Sequence, residues 1–157
     1  MIVLEIVGHP APKGSPRVVR RGKNIHVLKD SKKTETWHKC VACEALAVLG
    51  DRQLPIFCDQ ALRVRLEFRL RRPVGHFGKR GLRPSARPHP SVKPDLDKLV
   101  RATLDPLEGV VFDGDSRIVA IDATKRYLET GEAEGARIEI SLMESTPCTS
   151  EKPRDCP

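Results

Sequence analysis

At 157 residues the chain has room for one hydrophobic core and not comfortably for two. Its 28 Lys and Arg against 21 Asp and Glu, a formal +7, favour a polyanionic partner over an acidic-surface role. No run of about 18 apolar residues is present to span a bilayer, and the opening "MIVLEIVGHPAPKG" lacks the features of a signal peptide, so no membrane partner and a cytoplasmic location are expected. Five cysteines, an odd number, argue against a disulfide framework.

Residues 2–7, "IVLEIV", predict a strand that ends at Gly8 and the prolines of "HPAPKG". A basic, turn-rich segment follows: between Lys13 and Lys33 eight Lys and Arg face only Asp30. A helix is predicted from Ser31 or Thr34, because Trp37, Val41, Ala45 and Val48 recur at helical spacing and Gly50 is placed to end it. Cys40 and Cys43 lie within it at zinc-type spacing, but no second pair follows at a customary distance, so packed cysteines are the expectation.

"LRVRLEFRL", residues 62–70, alternates strictly, with Leu62, Val64, Leu66, Phe68 and Leu70 on one face and Arg63, Arg65, Glu67 and Arg69 on the other. This is a half-buried strand whose arginines suit phosphates. Residues 71–92 form a long Pro/Gly/Arg-rich loop, and from Arg69 to Lys93 the chain carries eight Lys and Arg and no acid. Such a segment is either a linker or an arm that orders on nucleic acid. Further strands are predicted at 117–128 and 136–144, joined by "ETGEAEG" as a hairpin loop. Residues 145–157 carry no pattern and are expected to be a disordered tail beyond a single domain spanning 1–144.

Between the basic loop and the later strands lies "KPDLDKLVRATLDPLEGVVFDGDSR". Leu96, Leu99, Val100, Thr103, Leu104 and Leu107 mark an amphipathic helix, with Asp97, Arg101 and Asp105 along its other side. Pro106 predicts an irregular last turn, and Gly109 a terminus. Asp95 and Asp97 serve well as an N-cap and a first-turn acid. They also serve as ligands, because the turn at Gly114 returns Asp115 toward the helix start. Carboxylates that converge need a cation, and oxygen-only ligands select hard ions such as Mg²⁺, with Mn²⁺ as a substitute.

These residues resemble the central signature of the RusA-type Holliday junction resolvases: an Asp-x-Asp opening a helix, an aspartate eight residues after the second, and a hydrophobic step into an acidic turn. "GHPAPKGSPRVVRRG" is similar to the family's Pro-x-Pro-Lys-Gly-x-Pro-Arg segment, and the likeness runs over most of residues 2–143. The resemblance implies an α+β single domain with a mixed β-sheet and two principal helices. It implies a homodimer that cuts four-way DNA junctions by paired nicks, in a bacterial protein or a phage protein acting in a bacterial host. It places divalent metal on Asp95, Asp97 and Asp115.

This chain departs from the family at two points. Gly114 separates Asp113 from Asp115, leaving either as the third ligand, and Asp115 is taken because its distance from Asp97 matches. The family's catalytic lysine is Arg101 here, which keeps the charge for transition-state stabilisation and cannot readily exchange a proton. If the lysine's role is electrostatic, activity survives the change; if it is proton transfer, Lys98 or Lys125 must substitute or the activity is weak, and Asp105 is expected to pair with Arg101. Backbone contacts to DNA are assigned to Lys13, Arg17, Arg20, Arg63, Arg65, Arg80 and Lys98. The rival reading, prompted by Arg101 and the altered turn, is a branched-DNA-binding protein with weak or lost cleavage.

Overall fold

Period-2 and period-3.6 segments of the sequence become strands and helices in the computed structural model, which describes residues 1–14, 17–21, 24–28 and 31–143, the side chains only of 1–14 and 31–143. In chain order the elements are β1 (Ile2–Val7), β2 (Arg17–Arg21), β3 (Asn24–Leu28), α1 (Lys32–Leu49), β4 (Leu62–Leu70), β5 (Phe77–Gly78), β6 (Gly81–Leu82), α2 (Leu96–Leu104), β7 (Ile118–Tyr127) and β8 (Gly135–Leu142). The main sheet has the order β1-β8-β4-β7; β4 is antiparallel to β8 and parallel to β7. The sheet is mixed, and with the two helices it makes a single α+β domain. The pairs β2–β3 and β5–β6 are separate antiparallel ribbons. The expected tail at 145–157 and the side chains of Arg17 and Arg20 lie outside the described residues.

The predicted hairpin between the last two strands does not form, because β4 sits between β7 and β8. The long alternating β4 gains a partner along both backbone edges in this position, so most of its ladder groups are paired. The chain crosses the end of β4 to get there, with Leu128 N–H donating to Leu70 O at 3.0 Å. It then enters β8 at Gly135 (φ 159°), where a Cβ would stand 1.8 Å from Ile6 O. Glycine alone lets β8 approach β1 so closely.

Leu4, Ile6, Val64, Leu66, Phe68, Ile138 and Ile140 turn one face of the sheet into core, which the helices cover. The helix α1 begins at Ser31, whose Oγ accepts from Thr34 N–H (3.3 Å), and ends at Gly50 with φ 57°. Its buried stripe is Thr34, Trp37, Val41, Ala45 and Leu49. Leu49, not the predicted Val48, closes the stripe, since it continues the i+4 series from Ala45. Cys40 packs against the core, whereas Cys43 is exposed. In α2, buried Thr103 Oγ1 accepts from Trp37 Nε1 at 3.0 Å and donates to Leu99 O at 2.8 Å, joining the helices. Pro106 lacks an N–H, so α2 stops at Leu104 and tightens into a 3₁₀ turn, Asp105–Leu107.

The outer face of the sheet is ionic. Glu5 accepts from Arg69 (2.7 Å) and Arg137 (2.9 Å), and Arg126 donates to Glu67 (2.9 Å). Residues 71–92 are tied to the sheet at Tyr127, with the Arg72 guanidinium 4.3 Å from its ring centroid and His76 edge-on at 5.6 Å. Among the described residues no helix is long and apolar enough to cross a membrane.

Candidate active site

The acidic stretch gathers around the start of α2 and the start of β7. Asp95 occupies the N-cap with extended backbone, yet its side chain makes no capping bond. Its Oδ2 accepts instead from Lys98 Nζ at 2.7 Å. That hydrogen bond and charge, aided by Lys93 and Lys125, hold the Asp95 carboxyl below the usual carboxylate range. Asp97 follows in the first turn and is exposed, and Arg101 stands one turn further along the same side. After Phe112 the chain turns through Gly114 into a 3₁₀ turn, Asp115–Arg117, which leads into β7.

This route brings Asp97, Arg101, Asp105 and Asp115 onto the walls of one cleft of about 510 Å³, floored by apolar side chains of α2 and β7 such as Val100, Ile118 and Ile121. Asp113 is directed elsewhere. Arg117 grips both of its oxygens, Nε to Oδ1 at 2.8 Å and Nη2 to Oδ2 at 2.9 Å, and depresses its pKa chiefly through those bonds. Of the two acids in the turn, Asp115 is the one that lines the cleft with Asp97.

Asp105 does not pair with Arg101. Its Oδ2 accepts a hydrogen bond from Lys13 Nζ, while Lys13 N–H donates to Lys98 O at 3.1 Å. The N-terminal segment is therefore laid along α2, and its ammonium reaches the acid before Arg101 does. Nothing in the local spacing signals this contact, because the partners lie far apart in the chain. Lys125 Nζ, offered by the sequence as a proton carrier, donates to Val92 O (2.9 Å) and Pro94 O (2.8 Å). It straps the segment before Asp95 to β7.

Among the described residues no three His, Cys, Asp or Glu side chains are grouped as a ready metal site. Asp97 and Asp115 share the cleft, and Asp95 is turned to Lys98. The donors that line the cleft are all carboxylate oxygens, which fits a hard divalent ion and not a soft one. Of the residues assigned to DNA, Lys13 and Lys98 are beside the cleft. Arg80 is exposed between β5 and β6. Arg63 and Arg65 are not brought to the cleft: they stand on the ionic face of the sheet, where Arg65 approaches Asp122 at 3.7 Å.

An α+β domain that sets acids and a guanidinium in one cleft, with Lys13 and Lys98 beside it, has the build of a nuclease. Residues 8–143, most of the chain, match Endodeoxyribonuclease RusA, and the chain belongs to that family. No curated protein matches it.

Proposed function

We propose that the protein is a Mg²⁺-dependent endonuclease that resolves four-way DNA junctions by paired nicks, acting as a homodimer, with Mn²⁺ as an alternative ion. The cleft that joins Asp97, Asp115 and Arg101 carries this reading. Asp97 and Asp115 would hold the ion, and Asp95 would join them on release from Lys98. When bound, a divalent ion supplies Lewis acidity toward the scissile phosphate and the attacking water. Arg101 would set its guanidinium against the non-bridging oxygens and stabilise the charge that develops there. It does not move the proton that the departing oxygen needs. Lys98 and Lys13 are the amines held beside these carboxylates, and they are suited to that transfer. Lys125 positions the strand of chain before Asp95.

A synthetic four-way junction tests the proposal. The native chain nicks it in Mg²⁺, and Asp97→Asn or Asp115→Asn lowers the rate at least ~100-fold with junction affinity and melting temperature kept, since both side chains are exposed. Asp113→Asn, outside the cleft, loses far less. Junction binding by the native chain without nicking in either ion would defeat the enzyme reading and leave a binding protein.

A further inference from the structure

We propose that the β5–β6 ribbon is a wedge for the branch point of DNA: Phe77 and Leu82 enter the interrupted base stack of a four-way junction and distinguish it from linear duplex. This deepens the junction-cutting reading and rests on it. In the ribbon Phe77–Gly78 pairs with Gly81–Leu82, and the chain turns at Lys79 and Arg80. Phe77 and Leu82 are direct partners in that ladder, so their side chains leave the same face of it. They are 47% and 52% exposed, and Val74, in the 3₁₀ turn that leads in, is 88% exposed. Apolar side chains set opposite one another in water gain free energy when a partner's apolar surface covers them.

The surroundings of the pair define that partner. Lys79 and Arg80 at the tip, and Arg83 and Arg87 beyond it, are exposed, and no acid occurs from Phe68 to Pro94. An apolar pair among cations alone matches a polyanion whose flat apolar faces lie within a charged shell, which is the build of nucleic acid. In continuous duplex those faces are covered by the neighbouring bases, and opening a step costs stacking energy. At a four-way branch point the stack is already interrupted, so the pair enters at lower cost. The cations meet phosphates on either form of DNA and set affinity and its salt dependence. Phe77 and Leu82 gain from the branch alone, and they set selectivity.

A ribbon two rungs long does not hold itself in water, and this one is pinned. Arg83 N–H donates to His76 O (2.9 Å) and Arg83 Nε to Phe77 O (3.1 Å), while His76 rests edge-on against Tyr127. Arg72, which covers the same tyrosine ring, also donates from Nη1 to Arg87 O at 3.0 Å and closes the arm at its foot. Lys125 then fixes Val92 O and Pro94 O to β7 immediately before Asp95. One tethered segment thus carries the apolar pair in its middle and leads into the acidic motif at its end.

The test measures binding of the full chain to a four-way junction and to linear duplex of the same sequence in Mg²⁺, with Asp97→Asn present throughout so that the strands stay whole. Phe77→Ser combined with Leu82→Ser should lower the preference for the junction about tenfold, with duplex affinity and the salt slope kept, because base stacking on the ring is lost and no charge is removed. Phe77→Trp should keep the preference. Both positions are exposed, so the melting temperature should hold. A preference that survives the double substitution overturns the wedge, and so does an equal fall in affinity for junction and duplex. Conversion of a homodimer to monomer by the same substitutions, read by sedimentation without DNA, would assign the face to a second copy and also overturns it. If the native chain nicks the junction while the preference ignores Phe77 and Leu82, only the wedge falls. A preference that depends on them in a chain whose native form never nicks upholds the wedge and defeats the enzyme reading.

Discussion

Arg117 sorts two acids that stand two positions apart into different jobs: it takes both oxygens of Asp113 and leaves Asp115 to the cleft. A similar division holds at the other end of the site, where Lys98 takes Asp95 and leaves Asp97 exposed. Arginine and lysine act here as keepers of carboxylates as much as partners for phosphate. Arg126 shows the effect most strongly, because it donates to both oxygens of Glu132 at 2.5 and 2.6 Å and holds that carboxyl down from 4.5 to about 2. A carboxyl whose pKa is lower folded than unfolded stabilises the fold above about 4.5, and that contribution fades as pH falls toward 2. Glu132→Gln should therefore melt below the native chain at pH 7, with the difference closing between pH 4.5 and 2. A difference that stays constant across that interval would assign the contact to packing instead of charge.

At the level of elements, the two helices are locked by one polar contact inside an apolar interface. Thr103→Val keeps the shape of α2 and strips Trp37 Nε1 of its acceptor, in residues 0% and 1% exposed. The expected destabilisation is about 1–3 kcal/mol in urea unfolding, with an unchanged slope; a value near zero would show that Trp37 finds another acceptor. The four strands of the main sheet and the two helices were legible from alternation and helical spacing, and so was the core face of β4; the ribbons β2–β3 and β5–β6 were not, because they fall in segments that read as turn-rich or as a loop without period. What local spacing does not encode is which element lies beside which. The loop after β7 looks like a hairpin because it is short and contains glycine, yet the competing demand of β4 for two neighbours decides the order. The site divides in the same way. Asp97, Arg101 and Asp115 belong to one local motif and could be read off it, while the contact of Lys13 with Asp105 depends on tertiary folding that no helical period predicts.

Across the whole molecule, positive charge gathers on one stretch of chain and is neutralised on another. The outer face of the sheet pairs its arginines with Glu5, Glu67 and Glu139, whereas residues 71–92 carry no acid at all. DNA affinity that depends on that stretch should be salt-dependent. Neutralising Arg80, Arg83 and Arg87 together should reduce the slope of log affinity against log salt by about 0.9 for each phosphate that an arginine had neutralised, up to about 2.7. Titration of junction binding across salt concentrations measures this, and an unchanged slope would make the stretch a linker.

The parallel pairing of β4 with β7 also governs when the site comes into being. The acids and the guanidinium of the cleft, from the helix after Asp95 to the turn that carries Asp115, are threaded between those two strands. Parallel neighbours cannot be joined by a tight turn, so their ladder closes only after the intervening chain has been gathered in, at the entropic cost of a long loop. The acids therefore meet in the same cooperative step that completes the sheet. A nascent or partly unfolded chain carries the motif but not the cleft, and cutting DNA is reserved for the finished fold.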